Sequence, residues 1–135
     1  MVLSVTVAFT ACADAGDYYN NRVVKFPDFK ISYGINNLSA VKSSGQFTCE
    51  KPGLYLITAS MMSHTPKAEY QIRKNRIALV YVRIAPDYVD GHKKHYTGTG
   101  SAVANLNKYD TLDINVVTYS YIHPAYSCLS IIKIH

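Results

Sequence analysis

Two short stretches hold most of the side chains able to do chemistry: Arg73-Lys74-Asn75-Arg76 and His92-Lys93-Lys94-His95-Tyr96. Basic groups of this kind hydrogen-bond carboxylated or sulfated sugars, and Tyr offers a flat face to a ring. Arg73, Lys74, Arg76, Lys93, Lys94 and Tyr96 are therefore the candidate ligand-binding residues. His92 and His95 are the candidate metal pair, since imidazole suits a zinc-like ion and calcium asks for carboxylates. No catalytic constellation emerges. Ser60, Ser101 and the three cysteines lack a Gly-x-Ser-x-Gly context, and the five His show no zinc-hydrolase spacing. Asp110 reads as a turn residue and Asp113, alternating with Leu112 and Ile114, as an ordinary solvated acid. His64 and His123, near Pro66 and Pro124, read as loop-packing residues. The chain is expected not to be an enzyme.

Both basic groups fall at turns between strands. Period-two alternation bounded by turn residues recurs over 3–11, 23–26, 29–33, 46–49, 54–62, 70–73, 77–84, 101–106, 112–118 and 128–134, which predicts about ten strands and no helix. Twelve Tyr, no Trp and many Val, Ile and Thr suit pleated, half-buried surfaces. Pro52-Gly53 makes the sharpest turn signal, ahead of the nearly uncharged run from Leu54 to Met62. At 135 residues, without repeat or linker, the chain reads as one domain spanning 1–135.

The net charge of +5 favours anionic partners: sulfated or sialylated glycans, lipid headgroups or nucleic acid. No apolar stretch approaches the roughly eighteen residues of a membrane span. Val2 to Ala13 is apolar but lacks the basic start of a secretory signal, and Val7 to Ala11 is better used as a first strand. The strands 77–84 and 129–134 are apolar on both faces, so the second face needs a cover, either a loop, the other sheet or another subunit. Three cysteines are too few for a disulfide framework.

Val7-Ala8-Phe9-Thr10-Ala11, Gly45-Gln46-Phe47-Thr48-Cys49-Glu50-Lys51-Pro52-Gly53-Leu54-Tyr55, Lys74-Asn75, and Gly100-Ser101-Ala102-Val103 through Leu106 to Asp110 and Val116 together resemble the C1q domain. The resemblance spans nearly the whole chain. It implies an all-β, ten-stranded jelly-roll sandwich of the C1q and tumour necrosis factor superfamily, assembled as a homotrimer. It further implies a secreted, non-catalytic recognition module of innate immunity, lectin-like, that binds glycans, microbial surface molecules or other polyanions, with no nucleic acid partner. The alternative is a trimeric signalling or scaffold ligand for a protein receptor. Arg76 stands where the family hairpin has Gly, and Tyr109 where it has Gly before Asp110. Calcium, bound by acidic residues before the Gly-Ser step in some members, is not expected here, because His92 to Tyr96 occupy that place. A trimer would triplicate His92 and His95 near a shared axis. Cys49 resembles a buried family cysteine, and pairing of the first and last strands would bring Cys12 near Cys128, where a bridge is an option. With no collagen-like stretch ahead of it, the domain is expected to be an excised head or a stalkless invertebrate, bivalve-like member.

Overall fold

A computed structural model describes residues 6–14, 16–89 and 94–135. Its strands are β1 (Ala8–Cys12), β2 (Gly16–Tyr18), β3 (Asp28–Tyr33), β4 (Phe47–Thr48), β5 (Gly53–Ser63), β6 (Glu69–Lys74), β7 (Ile77–Arg83), β8 (Tyr96–Leu106), β9 (Thr111–Val116), β10 (Ser120–Ile122) and β11 (Cys128–Lys133). They form an antiparallel sheet in the order β3-β1-β11-β5-β8, a second in the order β4-β9-β6-β7, and a small β10-β2 pair. This is the expected jelly roll.

Alternation builds the core as the sequence implies. In β5, Tyr55, Ile57, Ala59 and Met61 point inward and are buried, and β11 contributes Leu129 and Ile131. Phe47 packs between Phe9 and Tyr55 with tilted rings, the centroids 5.8 and 5.9 Å apart. Burial of each such side chain stabilises the fold by roughly 1.5–3 kcal/mol. Tyr70 on β6 crosses the sandwich, and its hydroxyl donates to the carbonyls of Gly98 (2.9 Å) and Ala59 (3.0 Å), which burial of a polar group requires. Cys49 is buried, and burial pushes its thiol above the ordinary value, so it stays protonated and acts as a small apolar residue.

Two glycines are fixed by close approach. Gly53 adopts φ 154°, and a Cβ there would lie 2.2 Å from the His135 carbonyl oxygen. At Gly100 a Cβ would come within 2.4 Å of Val82, so only glycine lets β8 lie this close to β7.

Five features differ from the pattern reading, the first being the β10-β2 pair, which falls outside the ten expected ranges. A one-and-a-half-turn helix, α1 (Leu38–Ser43), forms where none is expected; Val41 alone anchors it in the core, a signal too short for a helical period. The segment 23–26 makes a single bridge, Val23 to Asn115, instead of a strand. β8 begins at Tyr96, five residues earlier than the alternation shows, because its first inward positions, Gly98 and Gly100, carry no apolar side chain to mark the alternation. Asp113 is not solvated: its side chain is 1% exposed and its carboxylate takes two hydrogen bonds from Arg73, at 2.6 and 2.9 Å. The expected turn at Asp90-Gly91 lies outside the described residues, as do the first residues of the expected opening strand. Cys12 and Cys128, opposite each other in the β1–β11 register, are joined by a disulfide.

Candidate functional sites at the two ends of the sandwich

β5 and β8 run side by side for eleven residues, about 35 Å at ~3.3 Å per residue, and their ends define two ends of the molecule. The expected basic groups fall at opposite ends. Lys74 Nζ reaches the Asn105 carbonyl (2.9 Å) near the end of β8, whereas Lys94 is exposed just before its start.

At the first end the β6–β7 hairpin turns through Asn75 (φ 51°) and Arg76 (φ 65°). Two consecutive left-handed residues make the type I′ turn that matches strand twist. Beside it, the turn between β8 and β9 passes through Tyr109 at φ 76°. Asn75 ties the two turns together: its Nδ2 donates to Asp110 Oδ1 (3.0 Å), its Oδ1 accepts from Thr111 N (2.9 Å), and its own N–H donates to the Thr111 carbonyl (2.9 Å). The hydrogen bond from Asn75, then that from Asn107 N and the nearby Lys74, hold the Asp110 carboxyl below its ordinary value. Tyr109 is 73% exposed with the Lys108 ammonium 5.2 Å from its ring centre. Asn accepts the left-handed region readily; Arg and Tyr do so at a cost of about 1–2 kcal/mol each.

One cleft opens beside the hairpin and a second adjoins it, running along β9 toward the opposite end. One, about 320 Å³, is lined by Arg73, Arg76, Gln46, Ser44, Asn21 and Val23. The other, about 510 Å³, shares Asn21, Val23 and Ser44 and continues past Arg22, Lys25, Tyr18 and Tyr19. The chain at 21–24 is pinned to β9 through Val24 N to the Ile114 carbonyl (2.8 Å) and Val116 N to the Arg22 carbonyl (2.9 Å). Tyr119, hydrogen-bonded to Asp17, lies 5.5 Å from Tyr19 between ring centres, and that bond pushes its hydroxyl up to about 12.

The second end gathers histidines. His64 Nδ1 and His123 Nε2 are 2.9 Å apart, and His95 meets their rings edge-on at centroid distances of 5.8 and 4.5 Å. Tyr121 packs against both His64 (5.4 Å) and His123 (5.0 Å). Burial, then the neighbouring His95 and His64, lower the His123 pKa below its ordinary value, which keeps the ring neutral near pH 7. A shallow cleft of about 450 Å³, lined by Met62, His95, His123 and Tyr126, opens beside them.

Of the residues expected from sequence, Arg73 pairs with Asp113, Lys74 reaches Asn105 and Asp110, Arg76 projects from the hairpin tip, and Lys94 and Tyr96 belong to the other end. His92 and Lys93 lie outside the described residues. His95 is joined by His64 and His123, which were read as loop packing. Arg22, Lys25, Tyr18 and Tyr19 were also missed. The run Tyr18-Tyr19-Asn20-Asn21-Arg22 carried a signal, being aromatic, amide and basic in succession.

An apolar stripe marks the sandwich edge. On the edge strand β7, Ile77 (71%), Leu79 (41%) and Tyr81 (65%) are exposed, and Val103 on the adjacent β8 is 58% exposed.

Two facing antiparallel sheets with this strand order, carrying their polar clusters on turns at the ends, define a jelly-roll domain of the C1q and tumour necrosis factor type. The profile of the C1q domain matches residues 8–127, and the chain belongs to that family. Among solved structures it is similar to the globular domain of the zebrafish complement 1qA protein, with TM-score 0.77 and 17% identity over 96% of this chain and 98% of that one. It is also similar to murine APRIL (TM-score 0.71, 11% identity, 94% of this chain and 98% of that). A third is the Eiger TNF of S. frugiperda (TM-score 0.71, 12% identity, 98% of this chain and 94% of that). No curated protein sequence matches the chain. Domains of this family are generally non-enzymatic recognition or ligand modules and typically extracellular. Among the described residues no helix is long and apolar enough to cross a membrane.

Proposed function

We propose that this chain is a homotrimeric recognition module whose hairpin-tip end binds anionic glycans or other polyanions of microbial surfaces. The observation that carries the reading is the pair Arg76 and Tyr109, held at positive φ on two turns that Asn75 binds together. Glycine would relax both positions, so the strain is retained with a cation and an aromatic ring as its result. Lys74, Lys108, Arg22 and Lys25 extend the positive surface along the clefts. Arg73 contributes an edge of its guanidinium while anchored on Asp113. Lys94 and Tyr96 form a second basic contact at the far end.

Exposed charge contacts of this kind are individually weak and screened by salt. A trimer engaging a repeating surface gains about 10²–10⁴ in avidity. The stripe of Ile77, Leu79, Tyr81 and Val103 supports the trimer, because contiguous apolar side chains on an edge strand invite another subunit. Light scattering is expected to give three chains per particle, and a monomer at every concentration overturns the assembly.

An array of sulfated, sialylated and neutral glycans tests the site. Wild type is expected to bind anionic members in a salt-sensitive way, and Arg76→Gly with Tyr109→Gly to lose most of that binding without loss of the trimer. Lys93→Ala with Lys94→Ala is expected to have the smaller effect. Unaltered binding in the Arg76/Tyr109 variant overturns the site, and silence across the array moves the protein to the class of receptor ligands.

A further inference from the structure

The strand register makes a site from three histidines far apart in sequence. β5 and β8 pair down to Ser63 opposite Tyr96, so His64 and His95, one step further on each chain, emerge facing each other. His123 follows β10 directly, and its backbone N–H donates to the Met62 carbonyl (3.1 Å), which fixes it beside the same strand end. One ligand nitrogen from each of His64, His95 and His123 lies within 4.8 Å of the others.

A tetrahedral zinc ion with Zn–N of about 2.0–2.1 Å places its ligand nitrogens about 3.3 Å apart. The His64–His123 pair, at 2.9 Å, needs to open by about 0.4 Å. The other separations, all within 4.8 Å, need to close by at most about 1.5 Å, within reach of side-chain rotation at the exposed His95. His95 meets the other two rings edge-on, and the His64 and His123 rings are tilted at 57°, so none of the three pairs is stacked face to face. Tyr121 packs on two of the rings and limits their freedom.

We propose that His64, His95 and His123 bind one divalent transition-metal ion of the zinc type per chain, with the remaining coordination position open to the cleft beside Met62 and Tyr126. Three imidazole ligands without a carboxylate favour such an ion over calcium. They also leave its double charge unbalanced by protein ligands, so the open position takes water or an anionic oxygen. The site is separate from the hairpin-tip cluster, which lies at the other end of β8, and adjoins the second basic contact at Lys94 and Tyr96.

Titration calorimetry of the metal-stripped full chain with zinc chloride tests the proposal, with cobalt(II) as a spectroscopic probe. One zinc per chain is expected, no heat from calcium, and the visible bands of four-coordinate cobalt. His95→Ala, at an exposed residue, is expected to weaken zinc at least about tenfold while urea unfolding of the metal-free chain stays nearly unchanged, tenfold being the lower end of what even an outer partner of a metal site contributes. His123→Gln is expected to do the same, and His135→Ala to change nothing. Absence of zinc binding overturns the proposal. So does zinc binding that survives both His95→Ala and His123→Gln, or that is lost in His92→Ala while His95→Ala retains it.

Discussion

The two ends of the sandwich use opposite chemistry. At the hairpin-tip end permanent cations stand on turns, two of them strained, and Asn75, Asp110 and Asp113 fix the backbone beneath them. At the histidine end three half-buried or exposed imidazoles converge from three strand ends, one of them held neutral by burial. Cations spread on turns suit a large, repeating anionic surface and lose strength in salt. Converging imidazole donors suit one small ion and depend little on salt. A single jelly roll can thus carry two unrelated sites, because its long central strands keep their ends apart.

The contrast is broken most severely by removing the anchor of the tip end. Asp113→Ala leaves the Arg73 guanidinium, itself 15% exposed, without its partner and is expected to cost about 3 kcal/mol, as for a broken buried ion pair. Urea unfolding at fixed protein concentration measures it, and a loss under about 1 kcal/mol means that solvent already screens the pair. Arg76→Gly is expected to act in the reverse direction. Relief of the left-handed strain, about 1–2 kcal/mol, outweighs the greater flexibility of unfolded glycine, roughly 0.5–1 kcal/mol, for a net gain of about 0.5 kcal/mol. A variant both more stable and weaker in glycan binding shows that the strain serves the site; a less stable one shows that Arg76 supports the fold.

The smallest effect concerns Asp110. Its carboxyl is held below the ordinary 3.8 by Asn75 first, then by Asn107 N and Lys74. The unfolded chain therefore binds the proton more readily, so the stabilisation is complete above that value and is lost as pH falls through the folded one. Wild type is expected to lose urea resistance below about pH 4, in a shallower way for Asp110→Asn, with equal slopes refuting the assignment.

Much of the scaffold was written locally. Alternation in β5 predicts which of its side chains are buried, and Pro52-Gly53 marks the turn that the His135 carbonyl then makes obligatory. Candidate residues were legible only as types. Arg73 and Asp113 look alike in kind to Lys94 and Asp87, and only the β6–β9 register, which sets Arg73 directly opposite Asp113, turns the first pair into a buried anchor. α1 was invisible because six residues give fewer than two turns of periodicity.

Sequence by itself determined the two-faced strands, the turns between them and the basic, aromatic character of the loops, since these depend on neighbours one to four residues away. The tertiary structure decided which distant groups meet. His64 and His95 face each other only because β5 and β8 pair to Ser63 and Tyr96; His123 joins them only because β10 closes on Met62. Arg76 and Tyr109 share one end only because Asn75 bonds across to Asp110 and Thr111. A one-residue slip of register would turn each of these side chains to the opposite face, which is why spacing along the chain cannot reveal them and pairing across the sheet can.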